Sequence, residues 1–200
     1  MTKAAWITGL CLLLVACGGG PSVSPLEPSA TVLAFGDSLT RGTGAPAGSG
    51  YPEALADMTG LRVINAGIPG EVSSLGRERL PDLLAEHCPA LVVPVHGGND
   101  TLRRMPAGQT RENLEAMVGE IRAASADVVM LGVPGRNLTL SAPAYYSEVA
   151  DGLDVPIDLD TLPSLMRDRS VKSDPVHFNA EGYRRMAEGV RDLLIDAGAL

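Results

Sequence analysis

Ser38 stands in Gly36-Asp37-Ser38-Leu39, an alcohol beside an acid, directly after the apolar run Thr31–Phe35. A serine hydroxyl is a poor nucleophile at neutral pH unless a base takes its proton as it attacks. Three histidines could serve. His87 falls near the end of a helical stretch and reads as a surface residue. His96, just before Gly97-Gly98-Asn99-Asp100, is a rival for the base. His177 lies in Asp174-Pro175-Val176-His177, where a carboxylate three residues ahead can reach the ring nitrogen not used for catalysis and fix its tautomer. Attack on a carbonyl also creates an oxyanion that needs donors. A glycine-rich turn after a strand exposes backbone N–H groups, and Asn99 offers a side-chain amide.

Alone, each fragment is bland. Gly-Asp-Ser and Gly-Gly-Asn-Asp favour turns, and Asp-x-x-His fits a capping or surface pair. The elements that must position them decide more. Thr31–Phe35, Leu61–Ala66, Leu91–Val95 and Val128–Val133 are short apolar runs expected of buried strands, with Val155–Leu159 as a shorter fifth. Between them, Thr110–Ala124 repeats Leu114, Met117, Val118 and Ile121 at helical spacing. Ala180–Ala197 does so with Tyr183, Met186, Ala187, Val190, Leu193 and Leu194, behind Asn179 as N-cap. Ser73–His87 reads as helical, divided at Pro81, which has no amide hydrogen to donate. Strand and helix in alternation predict an α/β fold: a three-layer α/β/α sandwich around a parallel sheet of about five strands. Ligands of such sheets bind beyond the carboxyl ends of the strands. Gly36–Leu39, Asn65–Glu71 and Gly97–Asp100 each follow a strand, so all three collect along one sheet edge.

In this order the motifs resemble those of the SGNH (GDSL) hydrolases, within them the bacterial branch of periplasmic acyl-thioesterases, lysophospholipases and arylesterases. The resemblance runs from about Thr31 to the C-terminus. Gly36-Asp37-Ser38-Leu39 matches the first block, which implies Ser38 as nucleophile and its N–H as an oxyanion donor. Asn65-Ala66-Gly67-Ile68-Pro69-Gly70 matches the second, implying Gly70 as a backbone donor. Gly97-Gly98-Asn99-Asp100 matches the third, implying the Asn99 amide as side-chain donor. Asp174-Pro175-Val176-His177 matches the last, implying acid and base. Asp37 reads as a structural anchor for its loop. By the same analogy Leu102 and Met105, with Leu138, Leu140, Tyr145 and Tyr146, would wall an acyl pocket. Gly67 stands where serine is more common, His96 where an apolar residue is usual, and Phe178 where proline or leucine is.

The first residues belong to another category. Ala4–Ala16 is an apolar run of signal-peptide length, with Lys3 the one charge before it. It ends in Leu14-Val15-Ala16-Cys17-Gly18, which resembles a bacterial lipobox. Residues 1–16 are expected to be a lipoprotein signal peptide, Cys17 the lipidated N-terminus, 17–30 a flexible tether rich in Gly, Pro and Ser, and 31–200 the hydrolase domain. Gly18 after the cysteine suggests an outer-membrane protein facing the periplasm if the source is Gram-negative. Of the three cysteines, Cys11 leaves with the signal and Cys17 carries lipid, so Cys88 remains single and is expected to fill a small apolar site.

Composition narrows the partners. The formal charge is −8, or −9 without Lys3, which argues against nucleic acid. No Gly-x-Ser-x-Gly elbow surrounds Ser38, no dinucleotide fingerprint or P-loop is present, and scattered histidines do not make a zinc site. The expectation is a monomeric serine esterase, without metal or cofactor, that cleaves acyl or aryl esters, thioesters or lysophospholipids through an acyl-enzyme. Its rivals are an O-acetyl esterase of cell-envelope glycans and an acyl-binding lipoprotein with a vestigial site.

Overall fold

The computed structural model describes residues 20–135 and 139–200. The sequence folds as β1 (Thr31–Gly36), α1 (Ser38–Arg41), α2 (Tyr51–Thr59), β2 (Arg62–Gly67), α3 (Ser73–His87), β3 (Leu91–Val95), α4 (Gly98–Leu102) and α5 (Ala107–Ala123). There follow β4 (Asp127–Val128), β5 (Met130–Leu131), α6 (Tyr145–Leu153), β6 (Ile157–Asp158), α7 (Thr161–Arg167), a 3-10 turn over Arg169–Val171, and α8 (Ala180–Asp196).

Four parallel strands form the main sheet in the order β2-β1-β3-β4. The expected strand over Val128–Val133 is broken. Val129 separates β4, which pairs with β3, from β5, which pairs with β6 in a two-stranded parallel sheet. Val32–Phe35 and all of β3 are buried, as strands covered on both faces must be. Leaving β1 for β2 on one side and crossing back to β3 on the other puts successive right-handed crossovers on opposite faces. Accordingly α2 and α7 pack with α8 in one layer, and α3 and α6 with α5 in the other. The order reverses at β1, so the exits of β1 and β3 face a crevice of the kind in which such folds bind ligands.

α3 is one helix despite Pro81, which is exposed, so the carbonyl it leaves unpaired is open to water. α5 and α8 bury the residues their spacing singled out, except Leu193, which is half-buried at the edge of the core, and Asn179 Oδ1 accepts from Gly182 N at 3.0 Å. Two expectations are corrected. Cys88 does not fill an apolar site: it is exposed and ends α3 in a left-handed conformation, φ 42°. Tyr145 and Tyr146 do not wall a pocket: they open α6 and are buried in the core, with Tyr146 Oη donating to His96 O. The stretch expected as a tether is docked on the domain where it is described. From residue 20 onward it is described, and Val23 N and Leu26 N donate to Ala197 O and Ala199 O at 3.0 and 2.8 Å. The expected signal peptide, residues 1–16, and Cys17 lie outside the described residues. No described helix is long and apolar enough to cross a membrane.

Candidate active site

Asp37 follows directly on β1 and caps α1, its Oδ1 accepting from Leu39 N at 2.9 Å. The cap turns the chain so that Ser38 becomes the first residue of α1. Across the crevice, the loop after the 3-10 turn is closed by a bridge between Lys172 and Phe178. Phe178 is fully buried against the Tyr183 ring and roots this loop in the core. Within it Asp174 Oδ1 accepts from Val176 N and His177 N, both at 2.8 Å. Its Oδ2 meets His177 Nδ1 at 2.6 Å, and His177 Nε2 lies 3.0 Å from Ser38 Oγ. An alcohol, an imidazole and a carboxylate separated by up to 139 positions thus form one line of hydrogen bonds. Desolvation opposes ionisation of Asp174, but hydrogen bonds from the His177 ring and from the Val176 and His177 N–H groups hold its carboxyl down to about 2. It is a carboxylate at neutral pH, so its Oδ2 accepts the proton on Nδ1 and leaves Nε2 to accept one.

Donors surround the same point. Neither the Ser38 N–H nor the Gly70 N–H donates to any acceptor among the described residues. Gly70 holds φ +80°, a conformation that favours glycine. Asn99, in the first turn of α4, gives one amide hydrogen to Asp37 Oδ2 at 2.8 Å and keeps the other. Burial pushes the Asp37 carboxyl up to about 6, although the hydrogen bonds from Leu39 and Asn99 draw it down. Gly67 is explained by close approach: a Cβ there would stand 2.2 Å from Arg41 N, so α1 lies too near β2 for the commoner serine.

Ser38, Gly70, Asn99 and His177 open into a cleft of about 710 Å³. Its walls are largely apolar: Pro69, Leu102, Val133, Leu140, Met166 and Val176. Leu102 and Leu140 are therefore where the family analogy put them. Met105 is not in the wall, and Leu138 lies outside the described residues. Neither His87 nor His96 reaches the cleft. His96 is fully buried under α3, its ring 4.7 Å from that of Phe35, and burial, with the Arg79 cation beside it, holds the imidazole down to about 3. It is a neutral core residue, not a rival base.

Sequence reasoning missed three contributors. Met166 had no motif around it. Arg103 Nη2 donates to Gly70 O at 2.7 Å, and Arg79 pairs with Glu71 behind the same loop. An arginine eight residues after an acid on an amphipathic stretch carries no signal of its own; only the helix places it.

Residues 34–185 match the GDSL-like Lipase/Acylhydrolase family, and the chain belongs to it. It is 32% identical over 170 residues to thioesterase 1/protease 1/lysophospholipase L1 of Escherichia coli K12, covering 79% of this chain and 80% of that one. It is 40% identical over 127 residues to esterase TesA of Pseudomonas aeruginosa, covering 61% and 63%. A crystal structure of TesA superposes with a TM-score of 0.75 at 32% identity, over 82% of this chain and 97% of that one. The protein is a serine ester hydrolase of the α/β/α SGNH type.

Proposed function

We propose that the protein cleaves acyl or aryl esters and thioesters through an acyl-enzyme on Ser38, and that it does so at the cell envelope. The observation that carries this reading is the hydrogen-bonded line Asp174–His177–Ser38 opening beside two unengaged N–H groups into an apolar cleft. His177 Nε2 takes the Ser38 proton as Oγ attacks the carbonyl carbon. The electron pair of the carbonyl moves onto oxygen, where Ser38 N–H, Gly70 N–H and the Asn99 amide receive it. His177 then passes the proton to the departing alkoxide or thiolate. Water repeats the cycle with His177 as base and frees the acid. Asp174 orients the ring and stabilises its charged form.

The apolar walls support an acyl or aryl group over a glycan, since few polar groups line them to hold sugar hydroxyls. A series of p-nitrophenyl esters from acetate to laurate, with wild type and Ser38→Ala, tests the reading. Turnover of medium chains that falls about 10⁴-fold or more in the variant supports it. Turnover confined to acetate supports instead an O-acetyl esterase of envelope glycans, and none on any ester or acyl thioester supports a binding protein.

Location belongs to the same proposal. The lipobox-like Leu14–Gly18 supports a lipid anchor on Cys17, outer-membrane in a Gram-negative source, with the domain working as a monomer. Cys17→Ser should abolish lipid labelling and release the protein from the membrane fraction. Labelling and fractionation like wild type would refute the anchor.

A further inference from the structure

Behind the catalytic line, on the side away from the cleft, lies an ion pair that the ester-cleaving mechanism does not use. Arg79, from the second turn of α3, meets Glu71 in a fork: Nε to Oε1 at 2.8 Å and Nη2 to Oε2 at 2.7 Å. Glu71 is buried, and the Arg79 guanidinium lies over the Phe35 ring, 4.5 Å from its centre. The same Nη2 donates to Ala66 O at 2.8 Å and to Gly36 O at 3.3 Å. Gly36 O also accepts from Ile68 N at 3.0 Å.

These contacts have a common address. Gly36 is the last residue of β1, two before Ser38; Ala66 is the penultimate residue of β2, four before Gly70; and Glu71 follows Gly70 directly. One guanidinium therefore ties together both strand exits and the residue just past the backbone donor. Stability is a weak reason for such an arrangement, because desolvating two charges offsets most of their attraction, and apolar residues of similar size often serve as well. The fork has a geometric use instead. A guanidinium is planar, and its donors point in fixed directions, so it sets distances as a flexible ammonium cannot.

We propose that Arg79 and Glu71 are positioning residues for the oxyanion hole: they hold the Gly70 N–H at a fixed separation from the Ser38 N–H and Oγ, and so act on the transition state and not on substrate binding. Arg103, which holds Gly70 O from the solvent side, steadies the same peptide from the other end. The inference stands apart from the choice of natural substrate, since every ester passes through the same oxyanion.

The test uses Arg79→Lys and Glu71→Gln, assayed on whichever p-nitrophenyl ester wild type turns over best, beside inhibition by an alkyl trifluoromethyl ketone. In that inhibitor the Ser38 oxygen bonds to the ketone carbon, the carbonyl pair becomes the hemiketal oxyanion, and the Ser38 proton moves to His177. It reads the hole without turnover. A shift of about 1 Å in a reacting group can cost roughly 100-fold. We expect each variant to lose about 10- to 100-fold in kcat with KM within about twofold, and the inhibition constant to rise by the same factor as kcat falls. Circular dichroism confirms folding. Should Arg79→Lys fail to fold, the isosteric Glu71→Gln decides by the same readings. An inhibition constant equal to that of wild type, a loss carried by KM, or unchanged activity per folded molecule would each overturn the proposal.

Discussion

Asn99 Nδ2 donates to Asp37 Oδ2 at 2.8 Å, so the amide proposed to bind the oxyanion is itself aimed by the carboxylate that precedes Ser38. One acid thereby serves two of the three proposed donors, since its other oxygen caps α1 through Leu39 N and sets the direction of the Ser38 N–H. Asn99→Ala should lower kcat by roughly 100- to 1000-fold, the usual cost of one oxyanion donor. Asp37→Asn keeps the shape but turns an acceptor toward Asn99 into a donor, and should lose at least about tenfold. Steady-state kinetics of the double variant make the decisive measurement. If Asp37 works through Asn99, the double loss is little larger than that of Asn99→Ala alone, whereas multiplied losses would separate the two residues.

The raised Asp37 carboxyl also fixes a dependence of stability on pH. In the folded protein it holds its proton up to about 6, whereas in the unfolded chain it releases it near 3.9. Between those values the folded state binds more protons than the unfolded one. The contribution of Asp37 is therefore fully present below about pH 4 and is lost as pH rises through 6. Thermal melts of wild type and Asp37→Asn from pH 3.5 to 7 should show wild type losing ground to the variant across that window. A constant difference in Tm would contradict the assignment.

Asp174 behaves in the opposite sense. Held down to about 2, it stays ionised in the folded protein at pH values where the unfolded chain has taken up a proton. Its contribution exists above about pH 4 and fades as pH falls through 2. At neutral pH Asp174→Asn should cost about 10⁴-fold in kcat through the wrong imidazole tautomer, with little change in KM. Activity within tenfold of wild type would show that the Val176 and His177 backbone contacts orient the ring without the charge.

How much of this was legible in the sequence depends on the range over which each feature is determined. The core faces of α5 and α8 are local, and periodicity placed Leu114, Met117, Tyr183 and Met186 correctly. The motif residues at the ends of β1, β2 and β3 gathered where a parallel sheet must gather them, and Asp174 reached His177 because the pair is one loop. α2 escaped notice because its buried face amounts to Tyr51, Pro52 and Leu55 in nine residues, too short to show a period. The break at Val129 was invisible because it depends on which neighbour each half meets, β3 for one and β6 for the other. His96 looked like a site residue by sequence proximity, and Tyr145 and Tyr146 by analogy with the family, yet all three are buried in the core. The orientation of a side chain relative to a crevice is set by packing between elements, which spacing along one chain does not record.

Chain-length preference offers a last prediction. Met166 comes from α7, outside every motif, and lines the cleft together with Leu140 and Val176. An unbranched thioether fills an irregular wall loosely and leaves room for a flexible chain. Met166→Trp replaces it with a larger, rigid ring and should shorten the accessible acyl group. Esters of octanoate and longer acids should lose about tenfold or more in kcat/KM relative to acetate, since each excluded methylene forfeits about 0.8 kcal/mol of apolar burial. The same catalytic line serves both substrates, so damage to it would lower both rates alike. A constant ratio of long to short esters, measured in the folded variant, would place the acyl chain elsewhere than along Met166.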